Sequence, residues 1–207
     1  NIVTPVDSYV DIEARVLVNN NLKEKIWSKW LSWGRWGTNI KRASNSSNCT
    51  EAKINVDTLT INEGYIGEAI QIKISSYYDD KESKADLQLV VITYCGEKIN
   101  NKNGKEKLIN KLIETPCISQ MKREAEIANR ICSPTSMTML LNRLGENLLV
   151  EDVAYKCFDY KYNEFGNWSY NVAYAGSLGY KAYIQFGNID LLINELNKGY
   201  PVEVSVK

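Results

Sequence analysis

The 207-residue chain contains no histidine, the side chain that exchanges its proton nearest neutral pH. A cysteine hydrolase usually relies on a histidine to take and return a proton. Zinc sites also use histidine or clustered cysteines, and the intervals between Cys49, Cys95 and Cys117 suit no such cluster. The sequence therefore lacks a self-contained histidine-dependent active site, and we predict no metal ion and no other cofactor.

The chain also lacks an excess of charge of either sign, since 25 Lys and Arg balance 25 Asp and Glu. Nucleic acids and anionic membranes bind basic surfaces, so neither partner is expected. No apolar run approaches the roughly 20 residues that span a bilayer. Residues 1–5 do not resemble a signal peptide, which has been removed if one existed. No phosphate-binding glycine loop and no serine nucleophile elbow is present.

Five cysteines are present, an odd number in a chain long enough to build an ordinary core. They are Cys49, Cys95, Cys117, Cys132 and Cys157. A disulfide framework is not required, and at least one thiol stays free within the chain. Cys157 lies on an apolar helical stripe, which predicts a core position.

The first half of the chain alternates apolar and polar residues with the period of a half-buried strand. The alternating runs are residues 9–18, 53–61, 69–74 and 87–94. Turn residues between them favour an antiparallel β-sandwich. The polar stretch 100–105 indicates a linker, so we predict an accessory β-sandwich domain over residues 1–115.

Beyond residue 115 the apolar period becomes helical, which predicts an α+β chain overall. Helices are predicted at 134–144, 150–157, 170–178 and 189–198, and short strands at 181–186 and 201–206. Asn188 and Gly199 are suited to begin and end the last helix. Because a lone strand or pair cannot close a core, we expect more chain, or a partner, after Lys207.

Cys132 stands at the entrance of the first predicted helix, ahead of Pro134 and the apolar repeat that Gly145 closes. The helix dipole and free N–H groups favour a thiolate there, which is a nucleophile. Location alone also permits a small buried hydrophobe. Gln120 lies twelve residues upstream, and its amide together with the backbone N–H of Cys132 would make a two-donor oxyanion hole.

Four sequence blocks resemble one family. They are Gln120, Cys132 to Gly145, Glu151 to Ala154, and Gly166 to Asn171. Together they look like the first half of the papain-like cysteine peptidases related to the bacteriocin-leader (double-glycine) peptidases. The resemblance covers residues 116–207, which would be the N-terminal part of a peptidase domain.

The resemblance implies that Cys132 attacks a peptide carbonyl and that Gln120 helps bind the oxyanion. It places Asn167 and Trp168 near the substrate groove, although Trp168 is equally suited to packing. The family's histidine and its Asp or Asn partner would follow Lys207, so this chain alone should be catalytically incompetent. The remainder of the same protein, or a second chain, would supply the histidine. We expect a peptide or protein substrate.

Composition rich in Asn, Lys, Ile and Tyr is typical of an AT-rich bacterial genome. With the family resemblance, it leads us to expect a bacterial protein that is extracellular or associated with the cell wall.

Four tryptophans recur at a spacing of three, at Trp27, Trp30, Trp33 and Trp36. Sandwich core plus a helical turn is one interpretation, because tryptophan buries a large area. The other is an aromatic platform for a sugar or peptide. It would make the protein a non-catalytic module that binds a cell-wall or surface ligand, with an inactive peptidase-like domain.

Overall fold

The computed structural model describes residues 2–20, 24–96 and 112–205. Antiparallel sheets come first and four helices follow, which confirms the predicted α+β class. Two compact units are present: residues 1–89 with 159–163, and residues 90–158 with 164–207. The predicted domain boundary near residue 115 stays a prediction, and the predicted linker at 100–105 lies outside the described residues.

The first unit is built on strands. They are β1 (Ile2–Val3), β2 (Ser8–Asn20), β3 (Lys25–Trp27), β4 (Leu31–Trp36), β5 (Asn45–Asn48), β6 (Ala52–Val56), β7 (Thr58–Ile61), β8 (Tyr65–Tyr78) and β9 (Asp86–Leu87). β2 pairs with β8 along its whole length and with β3 and β4 along its other edge. Alternate residues of β2, including Val10, Ala14 and Val16, are buried, as the period of two predicts.

A second sheet, with strand order β5-β6-β7, shares a core with the first. Val16, Val18 and Leu31 of the first sheet pack with Ala52 and Ile54 of the second. Inward-facing residues from two antiparallel sheets thus close one hydrophobic core, as in sandwich packing.

The run at 53–61, predicted as one strand, is instead the hairpin β6-β7, with Asn55 paired to Thr58. Val56 and Asp57 form the two-residue turn, and Val56 has a φ of 59°. Two-residue hairpin turns require a positive φ at their first central residue, and valine rarely adopts that conformation. The alternating pattern therefore continued through the turn, and the sequence did not show where β6 ends and β7 begins.

Three other strand predictions were wrong. Of the run at 87–94 only Leu87 lies in a ladder, at the end of β9, which pairs with β1. Residues 181–186 and 201–205 form none. Alternation shows which side chains share a face, but a strand also needs a neighbouring backbone for its hydrogen bonds. Within the described residues these segments have no such neighbour in a ladder.

The predicted helical turn in the tryptophan run was also wrong. Trp27 lies in β3, and both Trp33 and Trp36 lie in β4. Trp33 packs against the shared core and donates a 3.2 Å hydrogen bond from Nε1 to the carbonyl of Asp57. The spacing of three therefore reflects two short strands and the connection between them.

A five-residue segment, 159–163, belongs to the first unit although the residues around it belong to the second. Asp159 is buried, and its carboxylate accepts backbone N–H groups of Ser44 at 3.3 Å, Lys161 at 2.9 Å and Tyr162 at 3.2 Å. The backbone N–H of Tyr160 also donates to the carbonyl of Arg42 at 3.0 Å. The bonds to Ser44 and Arg42 attach the segment to the β-sheet unit.

In the second unit the described residues form four helices. They are α1 (Cys132–Arg143), α2 (Val150–Lys156), α3 (Trp168–Ser177) and α4 (Ile189–Lys198). All four predicted helices are confirmed, with the starts of α1 and α3 two residues earlier than predicted. Asn188 caps α4 by accepting from the N–H of Leu191, and Gly199 ends it at a φ of 88°.

Two apolar clusters hold α1 in place. Ile131, just before the helix, packs with Val150, Ala154 and Phe165. Two residues on α1, Met137 and Leu141, pack with Ala175 on α3. Because a fully buried isoleucine precedes it, the first turn of α1 has a fixed position. Cys157 is fully buried, so its predicted core position is confirmed.

Candidate active site

Cys132 is the first residue of α1, and it is exposed although Ile131 before it is completely buried. The hydroxyl of Ser136 donates to the carbonyl of Cys132 at 3.0 Å, which ties the first turn together. The first N–H groups of a helix have no acceptor within it, and Pro134 carries none. Cys132 is therefore exposed at a helix end whose first N–H groups have no acceptor within the helix.

Gln120 begins a 3₁₀ turn, Gln120–Lys122, upstream of the cysteine. Its side-chain Nε2 donates at 2.8 Å to the carbonyl of Ala128, four residues before Cys132. The segment between them thus folds back, and one N–H of the amide is used to hold it. A primary amide has a second N–H, so the oxyanion role of Gln120 stays a prediction.

Asn167 and Trp168 begin α3. The Oδ1 atom of Asn167 accepts from the N–H of Ser169 at 3.0 Å, so this buried side chain caps the helix. Trp168 is 49% exposed and presents its indole to solvent. The structure explains Asn167 as a cap, and a substrate contact remains a prediction for both residues.

A polar network that the sequence did not reveal adjoins the cysteine. Asn171 on α3 donates from Nδ2 to the hydroxyl of Ser133, which donates at 3.0 Å to Oε1 of Glu203. Ser133 and Asn171 are buried, and Glu203 is partly buried. The alternation at 201–206 offered no signal for this, because it predicts inward valines. Val204 is in fact 55% exposed.

Burial raises the pKa of Glu203 to about 7, and the hydrogen bond from Ser133 opposes part of that rise. Loss of water disfavours the charged form of a carboxyl, whereas a donor stabilises that form. A carboxyl that titrates near neutrality therefore contacts the residue next to Cys132.

The described residues hold no group of three or more Cys, Asp or Glu side chains arranged to bind a metal ion. Within residues 2–20, 24–96 and 112–205, no helix combines the length and apolar content that crossing a membrane requires.

The segment that holds Cys132, Gln120 and all four helices also matches a known family. Residues 112–207 fit the model of the Peptidase_C39-like family. These residues, called the C39-like domain, are similar to that family. The match confirms the predicted resemblance to a peptidase family over this part of the chain. No curated protein and no solved structure matches the chain. In the C39-like domain the exposed thiol begins α1, which at 12 residues is the longest helix among the residues that the structure describes.

Proposed function

We propose that the protein is a cysteine peptidase whose nucleophile is Cys132. One observation carries this: an exposed thiol begins a buried, well-anchored helix of the C39-like domain. A thiolate at a helix start benefits from the positive end of the helix dipole and from adjacent N–H groups. A cysteine that served only as packing would be buried, as Cys157 is.

The proposed reaction is acyl transfer. The Cys132 thiolate attacks the carbonyl carbon of a peptide bond, and the carbonyl oxygen becomes an oxyanion. The backbone N–H of Cys132 and the free N–H of the Gln120 amide donate to that oxyanion. Collapse of this tetrahedral intermediate breaks the C–N bond, and the amine leaves with a proton from the protonated base. Water then hydrolyses the thioester and frees the thiol.

The base of this reaction is a histidine from outside the 207 residues, since the sequence has none. It comes from the remainder of the same protein or from a second chain. Trp168, exposed at the start of α3, contacts the substrate. The composition typical of an AT-rich bacterial genome supports a bacterial, exported enzyme that is extracellular or bound to the cell wall.

The test combines alkylation and cleavage. The intact gene product is treated with iodoacetamide and assayed with a peptide library. Selective alkylation of Cys132 with loss of cleavage is the expected result. Cys132→Ser should abolish cleavage, and Cys117→Ser, at another exposed thiol, should not. No turnover together with a Cys132 thiol of ordinary reactivity would refute the peptidase.

The second candidate is a ligand-binding module, which the exposure of Trp27 (37%) favours. Two contacts weaken it. The Arg15 guanidinium lies 4.7 Å from the ring centroids of both Trp27 and Trp30, and the Lys73 ammonium lies 4.8 Å from Trp30. Cations occupy ring surfaces on which a sugar would stack. Titration with cell-wall glycan decides: unchanged tryptophan fluorescence at millimolar sugar refutes binding.

A further inference from the structure

Three segments of the second unit meet at Ser133, the residue that follows the proposed nucleophile. Ser133 belongs to α1, Asn171 to α3, and Glu203 to the segment at 201–205. The Ser133 hydroxyl accepts from Asn171 and donates to Glu203. The proposed reaction uses none of these three side chains. A partly buried carboxyl is nevertheless linked through one hydroxyl to the first turn of the helix that carries Cys132.

The network has two possible directions. With Glu203 ionised, hydrogen bonds run from Asn171 through Ser133 to the carboxylate. Asn171 Oδ1 then has no partner among the residues that the structure describes, although the side chain is only 2% exposed. A protonated Glu203 becomes a donor to Ser133, whose hydroxyl then turns to the amide oxygen of Asn171 after that amide rotates. The same atoms serve both protonation states.

We propose that Glu203, acting through Ser133, is a positioning residue that sets the nucleophilicity of Cys132. This proposal rests on the proposed role of Cys132 as nucleophile. The ionised carboxylate places a second negative charge by the helix end that stabilises the thiolate, so it disfavours the thiolate. Protonation removes that charge. Because the pKa of Glu203 is about 7, small changes in pH around neutrality change the charge of this carboxyl.

Other ionisable groups lie on the elements around α1. Arg130 comes two residues before Cys132, and its guanidinium lies 5.2 Å from the centroid of the Phe165 ring. α2, which packs against α1, carries Glu151, Asp152 and Lys156. Besides Cys132, α1 carries Arg143, eleven residues along the helix, where its guanidinium binds the carbonyl of Glu114. On α3 the ionisable groups are Tyr170 and Tyr174. Burial raises the pKa of Tyr174.

The experiment measures how the alkylation rate of each cysteine varies with pH. Iodoacetamide labelling of the full chain is followed by peptide mass mapping, with the exposed Cys95 and Cys117 as internal controls. The Cys132 profile should show an inflection near pH 7 beyond simple thiol ionisation. Glu203→Gln should remove the inflection and raise the rate above pH 8 by about fivefold. Glu164→Gln, at an exposed glutamate, should change neither.

Ser133→Ala tests the link from its other end and decides the matter if Glu203→Gln fails to fold. The Ser133 hydrogen bond lowers the pKa of Glu203, so its removal should move the inflection to higher pH. A merely structural role would change the Cys132 rate equally at every pH. Identical profiles in wild type and the folded variants would overturn the proposal.

The labelling readout is independent of turnover. If the Glu203 effect appears but the intact gene product cuts no peptide, the peptidase fails and the control of thiol reactivity stands. If peptides are cut but the profiles coincide, the peptidase stands and the role of Glu203 fails.

Discussion

The Ser133 hydroxyl donates a 3.0 Å hydrogen bond to the carboxyl of Glu203, seventy residues further along the chain. Because the carboxyl is partly buried, its pKa rises from the ordinary 4.5 to about 7. Folding therefore raises the protonated fraction of Glu203 between pH 4.5 and 7 relative to the unfolded chain.

This rise predicts a stability that depends on pH. The Glu203 contribution to folding is fully present below pH 4.5 and is lost as pH rises through 7, because the unfolded chain releases the proton first. The free energy of unfolding of wild type minus that of Glu203→Gln should fall by at most about 1.4 kcal/mol per pH unit over this window. Urea titrations from pH 4.5 to 8 measure it, and a constant difference would contradict it.

Loss of the Asp159 carboxylate should destabilise the β-sheet unit. Three backbone N–H groups donate to this buried side chain, including that of Ser44. Asp159→Ala leaves them without their acceptor, at a cost of about 2 kcal/mol. Denaturant unfolding measures the change. Asp79→Asn, at an exposed position, is the control, and an equal effect there would argue against a specific role.

Replacing Val56 by a residue that favours positive φ should stabilise the β6-β7 turn. A β-branched side chain at a φ of 59° is strained, and glycine or asparagine is suited to that conformation. Val56→Gly and Val56→Asn should each raise the free energy of unfolding by about 1 kcal/mol. Thermal unfolding is the measurement, and Thr58→Ala, just outside the turn, is the control. A loss of stability in both turn variants would show that the turn is unstrained.

The 207-residue chain should form a stable acyl-enzyme. Without histidine, thiol attack on an activated ester has no base to promote hydrolysis, so the thioester should accumulate. Mass spectrometry should find the adduct on Cys132, and added imidazole should speed its loss. Cys132→Ser should carry no adduct at that position. An acyl group spread evenly over Cys95, Cys117 and Cys132 would contradict selective acylation.

Local chemistry made some elements readable from the sequence. Asn188 and Gly199 mark the ends of α4, and Pro134 marks the first turn of α1, because caps and ring constraints act within a few residues. Residues 181–186 alternate like a strand, but pairing depends on a distant backbone that their own pattern does not encode.

The site divides in the same way. The motif predicts roles for Cys132 and Gln120, and these roles stay predictions, whereas no motif pointed to Glu203. A glutamate in an alternating run normally faces water, and only the tertiary position of Ser133 brings this one inward. A contact between residues seventy positions apart does not change the composition or the apolar period of the sequence around either residue.

Segment 159–163 has a consequence for how this gene can be divided. It lies inside the family match at 112–207, yet it completes the β-sheet unit. An N-terminal fragment cut before residue 112 would leave the N–H of Ser44 without the Asp159 carboxylate. The β-sheet unit therefore cannot be excised as residues 1–111 without losing this bond, and a shorter fragment would need another acceptor in place of segment 159–163.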